Sequence, residues 1–311
     1  MADILVIKLG ALGDFVQAMG PFAAIRRHHA KDRITLLTTP PFADLARVSG
    51  YFDAVETGGR PKAFDLCGWL RLMCVLNSGF TRVYDLQTSD RSSFYRNLMG
   101  FPLSRPPEWS GIAAGSSHPH ANPKRDFLHT IERQREQLAV AGIMDVPLAD
   151  VSWAEADVRR FALKQSYVLL VPGGSTHRPE KRWPSGRFAA LARRLVAAGI
   201  TPVLLGTRDE AQLLKSIAAA AIGTKNLGGA TSLIEIAVLA RDARAAVGND
   251  TGPLHLIAAT GIPVVALFSK ASDPALCAPR GPDGAATVTV LRSDSLDQLP
   301  EAKVASALKL V

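Results

Sequence analysis

Short apolar runs alternate with segments of helical period along most of the chain. In the first half, runs at residues 4–9, 33–38, 54–56 and 82–86 read as strands. Each precedes a segment with apolar positions at three- and four-residue spacing, at 14–27, 42–48, 66–76 and 92–99. Residues 101–123 break this rhythm with prolines, glycines, serines and histidines; a helical period returns over 127–140, and a linker is expected near 145–165. The second half starts again, with strands at 167–171, 202–205, 245–247 and 264–268 and helices at 188–197, 211–220, 233–240 and 253–259. The runs at 168–171 and 264–268 are apolar throughout, as parallel strands covered on both faces require. The pattern predicts an α/β chain of two domains, 1–150 and 151–311, with ligands at the carboxyl ends of the strands. Two such domains facing each other would hold two substrates in one cleft.

A length of 311 residues exceeds a typical single core, which agrees with two domains. A content of 47% hydrophobic and 21% charged residues is that of a soluble globular protein. No apolar run approaches the roughly 18 residues that span a bilayer, and Met1 to Val6 lacks a basic flank and cleavage site, so a cytoplasmic location is expected. Cys67, Cys74 and Cys277 form no CxxC pair. Cys67 and Cys74, two helical turns apart, read as core thiols, and neither a disulfide nor a metal site is expected.

The net charge of +8 is uneven: residues 151–200 hold nine basic side chains against Glu155, Asp157 and Glu180. Part of this is solvated helix face, but Arg178, Lys181 and Arg182 fall in a predicted loop, where they suit a phosphorylated ligand. A basic surface also suits peripheral contact with the inner face of an anionic cytoplasmic membrane. With 6% aromatic residues and no interleaving of basic and aromatic positions, nucleic acid is not an expected partner.

Residues 249–255, Asn-Asp-Thr-Gly-Pro-Leu-His, join a buried strand to a helix. Thr251 is placed to cap that helix, Gly252 admits a ligand to the backbone, and Pro253 suits the first turn. Free N–H groups and the helix dipole favour a phosphate or diphosphate, with Asp250 and His255 placed to meet sugar hydroxyls. An ordinary strand-to-helix turn accounts for the same residues. Upstream, Pro172-Gly173-Gly174-Ser175-Thr176 follows a strand, and cations come close behind. Ser175 and Thr176 are placed to bond phosphate oxygens, and Lys181 to neutralise a departing diphosphate in place of a metal; the alternative is a solvated basic turn. Trp183 reads as a packing anchor. Glu210 either accepts ribose hydroxyls or is a surface carboxylate at a helix start.

The first strand leads into Lys8-Leu9-Gly10-Ala11-Leu12-Gly13-Asp14. Its Gly-x-x-Gly spacing departs from the dinucleotide fingerprint, and Thr38-Thr39 supplies no ribose-binding acid after the second strand, which argues against a nicotinamide enzyme. Asp14 either complements the helix dipole or serves as general base for a hydroxyl that loses its proton late. Gly13 and Arg91 are the candidates for acceptor contact, Arg91 toward an anionic group.

Residues 4–21, Lys181-Arg182-Trp183-Pro184 and Asn249 to His255, in this order, resemble glycosyltransferase family 9, the lipopolysaccharide heptosyltransferases. The resemblance implies a GT-B fold, two Rossmann-like domains with the acceptor on the first and the nucleotide-activated sugar on the second. It also implies metal-independent transfer with inversion, without a cofactor, from ADP-heptose to a lipopolysaccharide core or related bacterial glycan. The carboxylate matching Asp14 is then the base, the lysine matching Lys181 meets the diphosphate, and the Asp250-Thr251-Gly252-x-x-His255 turn holds phosphate and heptose. Ser269-Lys270-Ala271-Ser272-Asp273-Pro274 departs from the family's Gly-Pro-Thr-like turn at a place that bears on sugar or nucleotide preference. The competing readings are a silent nucleotide-sugar binder or membrane-associated scaffold and, third, the nicotinamide oxidoreductase.

Overall fold

The computed structural model describes residues 1–99, 106–163, 166–175 and 177–310. The chain forms two compact units, Met1–Leu148 and Ala149–Val311. In unit 1 the elements run β1 (Asp3–Ile7), α1 (Leu12–Gln17), α2 (Met19–His28), β2 (Arg33–Leu37), α3 (Ala43–Val48), β3 (Ala54–Glu56), α4 (Leu66–Leu76), β4 (Arg82–Asp85), α5 (Asp90–Leu98), β5 (Glu108–Gly111), β6 (His118–Pro119) and α6 (Thr130–Val140). They build a six-stranded sheet of order β3-β2-β1-β4-β5-β6, parallel throughout.

Unit 2 continues with β7 (Tyr167–Val171), α7 (Ser185–Ala197), β8 (Thr201–Leu204), α8 (Ala211–Ala220), β9 (Lys225–Asn226), α9 (Leu233–Asp242), β10 (Ala245–Asn249), α10 (Gly252–Ala258), β11 (Val264–Phe268), α11 (Pro274–Cys277), β12 (Val288–Arg292) and α12 (Glu301–Leu308). Its sheet has the order β12-β11-β10-β7-β8-β9, again parallel. In each sheet the strand order reverses at the first strand of the unit, between β1 and β4 and between β7 and β10. In open parallel sheets the carboxyl ends of the strands at such a reversal point are where ligands commonly bind.

Local chemistry explains the departures from the predicted elements. The helix expected over 14–27 is two helices divided at Ala18. Pro21 would lack a donor and crowd a carbonyl inside one continuous helix, whereas in the first turn of α2 it costs little. β5 and β6 lie in the stretch expected to be irregular; β5 buries Ser110 beside Trp109, so it shows no apolar alternation. Cys67 and Cys74 are exposed free thiols rather than core residues, because α4 turns Leu72 and Leu76 to the core and these cysteines to the other side. Trp183 is the anchor expected of it: the ring is buried, packs edge-on against Phe188 at 4.9 Å, and donates from Nε1 to the Leu299 carbonyl at 2.9 Å.

Candidate active site

In unit 1 the loops after β1 and β4 meet at the point of strand reversal, where Ile7 pairs with Asp85. Lys8, only 4% exposed, donates from Nζ to the Leu86 carbonyl at 3.0 Å. Burial pulls the ammonium below the usual lysine range, opposed by the charges of Asp14 and Asp85. Asp14 is half-buried in the first turn of α1 and accepts from Ala11 N at 3.3 Å. Its carboxylate shares a polar cavity of about 170 Å³ with Lys8, Thr88, Arg125, Arg133 and Gln134. That is smaller than the roughly 300 Å³ of drug-sized sites and suits a charged group or a single ring.

Helix α6 supplies much of this wall. Gln137 anchors it by donating from Nε2 to the carbonyls of Asp85 (2.9 Å) and Ser110 (3.2 Å). Arg125 donates to Thr88 Oγ1 at 2.6 Å and Arg133 to Thr130 Oγ1 at 3.0 Å. Buried Arg125 Nε and Gln134 Oε1 have no hydrogen-bond partner, so the cavity keeps donor and acceptor capacity for a ligand.

Asp85 lies fully buried behind this wall, and burial pushes its carboxyl up to about 6 against hydrogen bonds from Thr88, Ser92 and Gln87 and the charge of Lys8. The folded state therefore holds a proton that the unfolded chain releases near its ordinary value. The resulting stability is complete below about pH 4 and is lost as pH rises through about 6. Asp85→Asn removes this titration. Above pH 6 the variant is expected to gain on the parent by up to about 3 kcal/mol, an advantage that vanishes below pH 4. Urea unfolding at both pH values checks it; an equal difference at both would refute the linkage.

In unit 2, Asn249 braces the corresponding reversal point. It is fully buried, donates from Nδ2 to the carbonyls of Pro172 (2.8 Å) and Gly173 (3.0 Å), and accepts at Oδ1 from Trp183 N (2.9 Å). The loop after β7, the strand β10 and the basic segment are thereby tied together. Glu210 braces the same loop from the other side, accepting from Gly174 N at 2.9 Å and from Thr207 N at 2.7 Å. A Cβ at Gly173 would come within 1.9 Å of Glu210 Oε1, so this close approach requires glycine.

Asp250, next along, pairs with Lys181 Nζ at 2.8 Å and accepts from Ser272 Oγ at 2.8 Å, and His255 Nε2 stands 3.9 Å from its other oxygen. Burial alone would raise the Asp250 carboxyl. Hydrogen bonds from Lys181 and Ser272, with the lysine charge and the nearby His255 ring, instead hold it well below the usual carboxylate range. Thr251 occupies the N-cap position of α10 in extended conformation, but contrary to expectation its side chain makes no capping bond; Gly252 and Pro253 open the helix. The Ser269 to Pro274 segment meets the site through Ser272.

Unit 2 thus gathers Lys181, Asp250 and His255, with Thr251 and Gly252 next in sequence to Asp250. Glu210 is engaged in bracing the loop, while Ser175 and Arg178 are exposed; Thr176 lies outside the described residues. In unit 1, Arg91 is directed at the Pro61 carbonyl at 3.4 Å and does not line the Asp14 cavity; Gly13 precedes Asp14 in α1. Arg125, Arg133 and Gln134 were not anticipated. Their signal was the stripe of uncharged polar residues Thr130, Gln134 and Gln137, at helical spacing and buried.

The sequence profile of glycosyltransferase family 9 (heptosyltransferase) matches residues 69–309. The chain belongs to this family. Lipopolysaccharide heptosyltransferase 2 of Escherichia coli K12 is 35% identical over 105 residues, which are 32% of this chain and 30% of that protein. Lipooligosaccharide heptosyltransferase 2 of Haemophilus influenzae is 33% identical over 104 residues, again 30% of its length, so the matched segment spans under a third of these curated relatives. Structural likeness extends over nearly the whole chain. The ADP-heptose lipopolysaccharide heptosyltransferase II of E. coli superposes with a TM-score of 0.80 at 20% identity, covering 99% of this chain and 98% of that one. A family 9 glycosyl transferase from Veillonella parvula gives 0.83 at 18% identity, with 99% and 96% covered. The expected GT-B class is therefore the fold of this family 9 chain.

Proposed function

We propose that the protein is an inverting, metal-independent heptosyltransferase that transfers heptose from ADP-heptose to a lipopolysaccharide core or related bacterial glycan. Unit 1 takes the acceptor and unit 2 the donor. The observation that carries this reading is the Asp14 carboxylate in a cavity otherwise rich in cationic and amide groups. A base stands there beside groups that hold an anionic acceptor. Asp14 takes the proton of the acceptor hydroxyl as its oxygen bonds to the anomeric carbon. The bond from that carbon to the diphosphate breaks, and ADP leaves with its charge met by Lys181 and by the N–H groups of the Thr251–Gly252 turn. One displacement from the face opposite the leaving group inverts the anomeric centre. Heptosyltransferase structures described with ADP and with ADP-2-deoxy-2-fluoro heptose support the choice of nucleotide.

The test is incubation of the full chain with ADP-heptose and a core-type acceptor, followed by mass spectrometry and NMR. One added heptose per ADP released, inverted configuration and a rate insensitive to chelator are expected. Calorimetric binding of ADP-heptose without product would make the protein a silent binder. Preference for UDP or GDP sugars in a thermal-shift panel would reassign the donor.

A further inference from the structure

Helix α4 is apolar on two sides, and only one is used. Leu72 and Leu76 enter the core of unit 1, whereas Leu66 (71% exposed), Leu70 (54%), Cys67 and Cys74 occupy the opposite arc, at three- and four-residue spacing. The preceding loop adds Phe64, fully exposed at 102%. Single exposed apolar side chains are ordinary on a protein surface; a contiguous group of this kind is not.

The rim of this face carries one predominant charge. Arg60, Lys62 and Arg71 are exposed, and across residues 57–77 they are opposed by Asp65 alone, whose carboxylate caps α4 by accepting from Gly68 N at 2.8 Å. The loop is held firmly: Gly59 N donates to the Thr38 carbonyl at 3.1 Å, Tyr95 donates to the Gly59 carbonyl at 2.7 Å, and Trp69 Nε1 donates to the Lys62 carbonyl at 3.0 Å. An outward apolar face with a cationic border on a fixed helix complements an anionic phospholipid surface, with apolar side chains at the acyl boundary and cations among the headgroups.

We propose that Phe64 and the outer face of α4 seat unit 1 on an anionic bilayer. This does not depend on the transfer reading, because docking is measured without substrate. The full chain is sedimented with vesicles of phosphatidylglycerol and phosphatidylethanolamine, and in parallel with phosphatidylcholine vesicles. Preferential binding to the anionic vesicles that weakens with salt is expected. Phe64→Ser/Leu66→Ser/Leu70→Ser should lower the partition coefficient about tenfold or more, and Arg60→Gln/Lys62→Gln about tenfold on anionic vesicles alone. All five positions are exposed, and an unchanged thermal transition verifies folding. Equal partition of parent and triple variant, or equal binding to both vesicle types, would overturn the proposal. So would a dimer in sedimentation velocity that the triple substitution returns to monomer, since a second copy would then cover this face.

Discussion

Asp14→Asn is expected to lower the transfer rate by about 10²–10⁴-fold while leaving the dissociation constant for ADP unchanged. The amide keeps the size of the carboxylate and the acceptor that meets Ala11 N at 3.3 Å in the first turn of α1, so the local fold is retained. The substitution removes the ability to take a proton from the acceptor hydroxyl. Because Lys181, Asp250 and the Thr251–Gly252 turn belong to unit 2, donor affinity is the internal control. Turnover near the parent level, with an unchanged thermal transition, would remove Asp14 from the role of base. Asp14→Glu separates presence from position: it restores a carboxylate but moves it by one methylene, and partial recovery is expected.

Lys181→Ala should act on binding and on stability together. Losing a charge-assisted contact to the diphosphate raises the dissociation constant for ADP about 10- to 100-fold. Removing the ammonium 2.8 Å from Asp250 also strands a carboxylate whose side chain is 9% exposed, at a cost of about 2 kcal/mol. Ser272 and His255 remain to moderate it. Combining the change with Asp250→Asn should recover stability but not ADP affinity, as calorimetry and urea unfolding would reveal. If the double variant bound ADP like the parent, Lys181 would be only a partner for Asp250. The folded Asp250 carboxylate is held below its unfolded value, so its contribution is present at neutral pH and drains away as pH falls below about 4.

The covered strands were legible because β1, β7 and β11 are apolar at nearly every position, a pattern few other elements share. β5 escaped because Ser110 is buried by virtue of a bond from Gln137, a contact 27 residues away that no local pattern contains. The same distinction separates the site residues. Asp250, Thr251 and His255 sit in one contiguous turn and were visible as such. The cations Arg125 and Arg133 reach the Asp14 cavity only after α6 packs on the sheet, whereas Arg91, closer to a strand end in sequence, turns to the Pro61 carbonyl. Cys67 and Cys74 failed for a related reason: periodicity reports that a helix is apolar, not which of two apolar arcs meets the core. Glu210 was legible as a carboxylate at a turn, but its engagement with Gly174 N was not, since that bond spans 36 residues.

The double bracing of the Pro172–Gly174 loop by Asn249 and Glu210 bears on how the proposed donor unit would receive a nucleotide. A glycine-rich segment left free would have to surrender its mobility on contact, and that entropy would be subtracted from affinity. Here the ordering is completed during folding, so the loop meets its ligand already shaped.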